Sequence, residues 1–183
     1  CAAPEEAWRS TTRSSPIDSS VHTVSSSDSP LPTDEPVAAN DTAYIRRIGE
    51  LHTIERDGEG VRIGALCTMN ELQRDPLIQQ HFDIMLQACD HFASDQLRNN
   101  ATIGGNVCNA SPAGDTLVPL MVLGASVELA SKPDDTLFRR SMPLPEFFVG
   151  PGKTRLAPAE LLSAVRLPIP PKGFVARFHK FGT

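Results

Sequence analysis

The run Arg98–Thr116 reads RNNATIGGNVCNASPAGDT. Gly104 and Gly105 stand side by side, with Thr102 and Ile103 before them and Asn106 after. Small polar residues and Asp115 then lead into an apolar run, Leu117–Ala125. Two successive glycines let backbone come close to a ligand. Successive N–H groups in such a turn can form a concavity suited to phosphate oxygens. Thr102 and Asn106 add hydrogen-bonding side chains on either side. The run is neither a GxGxxG turn nor a P-loop, which needs a lysine this run lacks. The residues alone therefore leave two readings open: a loop for an anionic group, or a tight turn between a strand and a helix. Asp115 is similarly divided between capping the next helix and touching a ligand.

Upstream of the run, LHTIERDGEGVRIGAL (51–66) holds two short strand-like stretches around Asp57-Gly58, a hairpin signal. Thr68 with Glu71 three places on predicts a capping box for a short helix stopped near Pro76. Phe82, Met85, Leu86, Cys89 and Ala93 recur at helical intervals and predict an amphipathic helix. Downstream, SVELAS (126–131) reads as a strand followed by a KPDD turn, and residues 143–161 as a loop-rich stretch with a short helical piece. LLSAVRLPIP (161–170) and FVARFHKF (174–181) read as two strands joined by PKG. Helices and strands mix without βαβ alternation, so the class is α+β.

The chain has 183 residues, room for one core, and a formal net charge of −5 with acids and bases interspersed. No basic footprint suggests nucleic acid, and no apolar run is long enough to span a bilayer. Cys1, Cys67, Cys89 and Cys108 form no CxxC, and the five histidines form no ligand pair, so no metal or iron–sulfur site is expected in this chain. Reduced, buried thiols and a cytoplasmic setting are expected instead. Residues 1–43 hold nine serines and five prolines and no glycine; they read as a disordered leader, with a folded domain over 44–183. Cys1 in place of a Met reads as a fragment or a processed product.

FASDQLRNNATIGGNVCNASPAGDTLVPLMVLGASVEL (92–129), GVRIGALCTMNELQRDPLI (60–78) and PLPEFFVGPGKTRLAPAELLSAVRLPIP (143–170) together closely resemble the FAD-binding subunit or domain of the xanthine dehydrogenase family. That family of molybdenum hydroxylases includes the carbon monoxide dehydrogenase medium subunit. The resemblance implies the second FAD-binding subdomain of a PCMH/VAO-type flavoprotein fold, a mixed sheet with flanking helices. It also implies FAD as cofactor, with molybdopterin and [2Fe–2S] clusters on partner subunits or domains. Electrons would pass from those clusters through FAD to NAD or another acceptor. By the same resemblance Thr102, Ile103, Gly104, Gly105 and Asn106 lie against the FAD pyrophosphate, and Asp115, Phe92, Leu161 and Lys180 contact the cofactor. Cys108 falls near the flavin ring. No residue of this chain is implied as a nucleophile or general base.

The family grips FAD with two glycine loops, and the first has the form A-G-G-T-D. No glycine precedes Gly49, so that loop has no counterpart here, and the family pattern is cut short at both ends. Two functions follow: a flavin subunit gripping with one loop, or a non-catalytic remnant or assembly module that binds no flavin.

Overall fold

A computed structural model describes residues 45–181; the serine-rich stretch expected to be disordered lies outside them. The chain divides into two units, 1–48 and 49–183. Of the first, only the short turn of 3-10 helix at Ile45–Arg47 and Ile48 are described. All that follows concerns the second.

Five strands make its central sheet: β1 Ile54–Asp57, β2 Gly60–Gly64, β3 Ser126–Ser131, β4 Phe138–Pro143 and β7 Glu160–Pro168. They lie in the order β1-β2-β7-β3-β4. Two shorter strands, β5 Phe148–Gly150 and β6 Lys153–Thr154, form a separate ribbon. The α+β class holds. The sheet, expected to be mixed, is antiparallel at every pairing, because β7 runs between the hairpins β1–β2 and β3–β4 and opposes the strand on each side. The first hairpin forms where expected: Gly58, at φ 59°, adopts the left-handed conformation a two-residue connection requires.

Alternation along the strands separates two faces. Val61, Ile63, Val127, Val165 and Leu167 face the helices and are almost wholly buried. Among the described residues the seven α-helices are α1 Met69–Arg74, α2 Pro76–His81, α3 Asp83–Asp90, α4 Asp95–Arg98, α5 Ile103–Asn109, α6 Leu117–Val122 and α7 Leu144–Phe147. They contribute Leu72, Ile78, Met85, Ile103, Leu120 and Phe147 to the same core. Full burial of such side chains contributes about 1.5–3 kcal/mol each.

Local chemistry sets the helix limits. Thr68 and Glu71 form the expected capping box of α1. Asp75-Pro76 ends that helix and starts the next: the proline disfavours helix before it, and the Asp75 carboxylate accepts from the N–H groups of Leu77 and Ile78. The long amphipathic helix read over 80–93 is broken in two at Phe82 (φ −131°, ψ 55°), whose ring is buried in the core.

The other sheet face is charged. Glu128 on β3, 5% exposed, accepts hydrogen bonds from Arg62 (3.0 Å), Arg139 (3.0 Å), Arg166 (2.9 Å) and the Ser163 hydroxyl (2.9 Å). Burial alone would raise its pKa, but the hydrogen bonds from Arg62 and Arg166 outweigh it and hold the carboxyl down at about 2.

The second strand expected near the end, 174–181, is not one. The backbone there joins neither sheet and is an irregular tail whose Phe178 N–H donates to a side chain, Gln87 Oε1, at 2.9 Å.

Candidate flavin site

The glycine pair is neither a concave loop nor a turn after a strand; it is the first turn of α5. Thr102 is its N-cap, and its Oγ1 accepts from Gly105 N–H at 3.1 Å. Its backbone bridges Thr68, the N-cap of α1, so two helix starts lie side by side. The remaining first-turn N–H groups are also engaged. Ile103 N–H donates to Cys67 O (3.0 Å), Gly104 N–H to Ala65 O (2.8 Å) and Asn106 N–H to Thr102 O (3.0 Å). The chain after β2 thus accepts from α5 what a free helix start would offer to an anion.

The two glycines then part company. A Cβ on Gly104 would meet Ala65 O at 2.6 Å and Ala65 Cβ at 2.7 Å, so that glycine exists for helix-to-strand-end packing. A Cβ on Gly105 would meet only Thr102 Oγ1, at 3.0 Å, and Gly105 is exposed. One glycine closes the fold and the other opens a face. Ile103 is fully buried, so only its backbone borders that face.

Polar side chains gather beside it. Asn106 Oδ1 accepts from the hydroxyl of Thr116, itself fully buried, at 2.7 Å. That bond sets Asp115 next to the start of α5. Asp115 accepts from Lys180 Nζ at 2.8 Å, with the two side chains 15% and 42% exposed. Asp115 is not a helix cap: the N-cap of α6 is Thr116, which makes no side-chain capping bond, and the Asp115 carboxylate is turned to Lys180 instead. Thr102, Gly105 and Asn106 are thus linked to Asp115 and Lys180 through Thr116, the residue next to Asp115.

The apolar candidates sit on neighbouring elements. Phe92 follows α3, half-buried against the core, with its carbonyl accepting from Arg98 at 3.2 Å. Leu161 is half-buried on β7 opposite Ala130, which puts it on the Glu128 face of the sheet and not on the face covered by α5. Cys108, on α5, is half-buried against the core, and burial raises its pKa. Cys67 and Cys89 are pushed up to about 12, first by burial, so these thiols stay protonated at neutral pH. Among the described residues no group of His, Cys, Asp and Glu is arranged to hold a metal ion. No helix of the described residues is long and apolar enough to cross a membrane.

Thr116 and Gln87 were not singled out by the sequence. Thr116 had a signal, its place between Asp115 and an apolar helix, but nothing in the spacing joins residue 116 to Asn106. Gln87 had none.

Residues 25–170 match the family described as FAD binding domain in molybdopterin dehydrogenase. The chain belongs to this family. Over 137 residues it is 35% identical to the xanthine dehydrogenase FAD-binding subunit of Escherichia coli, covering 74% of this chain and 45% of that protein. It is 32% identical over 136 residues to the carbon monoxide dehydrogenase medium chain of Afipia carboxidovorans, covering 74% and 46%. A solved carbon monoxide dehydrogenase from Hydrogenophaga pseudoflava superposes with a TM-score of 0.65 at 31% identity, covering 70% of this chain and 44% of that one. The chain thus spans less than half the length of these relatives, and the match extends upstream of Tyr44 into the serine-rich stretch.

The donor set of this FAD binding domain fits one edge of the cofactor. Thr102, against Gly105, retains its own hydroxyl hydrogen, Asn106 its amide NH2, and Lys180, on Asp115, its ammonium. These suit phosphate oxygens; Asp115, an acceptor, suits a hydroxyl. A phosphate there would be met by side chains, since the first-turn backbone donors are already engaged.

Proposed function

We propose that this chain is the FAD-holding part of a molybdenum hydroxylase, gripping the cofactor with Thr102, Ile103, Gly104, Gly105 and Asn106 at the start of α5 together with Asp115, Lys180, Phe92 and Leu161. The chain of hydrogen bonds from Gly105 and Thr102 through Asn106 and Thr116 toward Asp115 and Lys180 carries this reading. Thr102, Asn106 and Lys180 would donate to the pyrophosphate and Asp115 would accept from a cofactor hydroxyl. Gly104 and Ile103 would act through backbone placement, and Phe92 and Leu161 would offer apolar surface. Bound FAD would supply the redox chemistry, with the protein contributing orientation and electrostatics. The partners are a [2Fe–2S] subunit that delivers electrons, a large molybdopterin subunit that oxidises the substrate, and NAD or another terminal acceptor. Three protonated, unpaired cysteines agree with a reducing, cytoplasmic setting.

A second reading is favoured by one observation. All four first-turn N–H groups of α5 are bonded within the chain, as suits a module that assembles with its partners and holds no flavin.

One reconstitution separates the two. The 183-residue chain is mixed with FAD, a reduced [2Fe–2S] subunit and the molybdopterin subunit of one relative. Loss of the oxidised-flavin absorbance, with its return on adding NAD or oxygen, is the expected result. A complex that forms on gel filtration without flavin would overturn the first reading in favour of the second.

A further inference from the structure

The tail Phe174–Phe181 has no regular secondary structure, and Val175 and Phe181 are 80% and 96% exposed, yet it delivers Lys180 to Asp115 at 2.8 Å. Ala176 and Phe178 pack part-buried against the core, and a polar tie fixes the backbone between them and Lys180. The tie lies on α3. Gln87 Nε2 donates to Asp83 Oδ2, one helical turn earlier, at 2.6 Å. This orients the amide, so that Gln87 Oε1 faces the tail and accepts from Phe178 N–H at 2.9 Å. The main chain of the same residue helps: Gln87 O is 2.9 Å from His91 Nδ1, and the His91 ring meets that of Phe178 edge-on with centroids 6.0 Å apart.

The plain alternative is a helix-surface pair, Asp83 with Gln87, of the kind that contributes only a few tenths of a kcal/mol. It does not account for the second half of the amide, which bonds a main-chain N–H 91 residues away. Two residues of chain reach roughly 7 Å at most, so fixing Phe178 confines where Lys180 can go.

We propose that Gln87 is a positioning residue for Lys180: its oriented carbonyl fixes the tail backbone at Phe178, so that the ammonium two residues on lies against Asp115. The significance of that placement for cofactor binding rests on the reading of Asp115 and Lys180 as part of the FAD site. Gln87 itself touches no cofactor in this account. A glutamine is suited to the task because it both donates and accepts. Leucine would do neither, and glutamate would face Asp83 with like charge.

The test uses the full 183-residue chain and four proteins besides wild type: Gln87→Leu, Lys180→Ala, the two combined, and the swap Asp83→Asn with Gln87→Glu. In the swap, the new amide at position 83 takes over the donation and the new carboxylate at position 87 accepts from both neighbours, at unchanged net charge. Without flavin, Gln87→Leu is expected to speed hydrogen exchange of the Phe178 amide about 5-fold, the loss of one ordinary hydrogen bond. Acylation of Lys180 by an N-hydroxysuccinimide ester should accelerate in step, and the swap should restore both. With FAD, Gln87→Leu should weaken binding but add nothing to Lys180→Ala, since the two act through one contact. Unchanged exchange and acylation in Gln87→Leu, or no recovery in the swap, would overturn the proposal whatever FAD does. Weak binding in Lys180→Ala with wild-type binding in Gln87→Leu would also overturn it and leave the FAD reading standing. If wild type binds no FAD, that reading fails, while exchange and acylation still decide the role of Gln87.

Discussion

Two carboxylates on this chain make opposite use of their partners. Glu128, on the charged face of the sheet, is held by three arginines that all project from strands, and by the Ser163 hydroxyl. Asp115, next to Thr116, has one cationic partner among the described residues, delivered by an irregular tail. The first acid is 5% exposed and cannot exchange its partners without opening the sheet. The second can release its lysine by moving a few residues of coil. A buried acid with many fixed partners is part of the framework; an acid with one removable partner is available to a ligand.

The sharpest way to break the comparison is to neutralise the framework acid. Glu128→Gln leaves three arginines around an uncharged amide and should cost about 3 kcal/mol, measured by urea or thermal unfolding. The same acid predicts an acid limb. Its folded pKa of about 2 lies below the ordinary 4.5, so its stabilisation is complete above pH 4.5 and is lost as pH falls toward about 2. Glu128→Gln should flatten the stability profile in that window. An equally steep decline would assign the acid sensitivity to other groups.

The adjacent glycines give the next contrast. Gly104→Ala places a methyl group against backbone and side chain of Ala65 and should cost about 1–3 kcal/mol. Gly105→Ala meets only a threonine hydroxyl and should leave unfolding within about 0.5 kcal/mol of wild type. Equal losses would mean that both glycines serve packing, and that the open face is not reserved for a ligand.

Asp115→Asn should change stability little, because its partner is a partly exposed lysine. FAD affinity should fall about tenfold on loss of a charge-assisted hydrogen bond. A stability loss comparable to that of Glu128→Gln would erase the distinction between the two acids. Thr102→Ala should cost about 1 kcal/mol through loss of the α5 cap, together with a modest loss of FAD affinity.

Features whose physics is local were legible in the sequence. The capping box at Thr68 and Glu71, the Asp57-Gly58 hairpin and the helix stop at Pro76 each depend on residues within a few positions of one another. Features built from distant partners were not. The FRRSMP strand, β4, has an irregular, mostly exposed pattern, and its arginines find Glu128 and Glu160 only after folding. The tail alternates like a strand, but its Phe178 N–H bonds the Gln87 side chain on α3, and it joins neither sheet. At the site, the glycines and Asp115 were visible as residue types. Their roles were not, because the carbonyls of Cys67 and Ala65 that occupy the helix start, and the lysine 65 residues from Asp115, are set by tertiary structure.

The central claim is that a side-chain grip around Gly105 suffices to hold the flavin. Its most direct test is a titration of the 183-residue chain with FAD, followed by flavin fluorescence, beside Gly105→Asp, which sets a carboxylate on the open face. Saturable micromolar binding that Gly105→Asp abolishes, with its unfolding temperature close to wild type, is the predicted result. No binding at millimolar FAD, or binding that Gly105→Asp leaves intact, would contradict it.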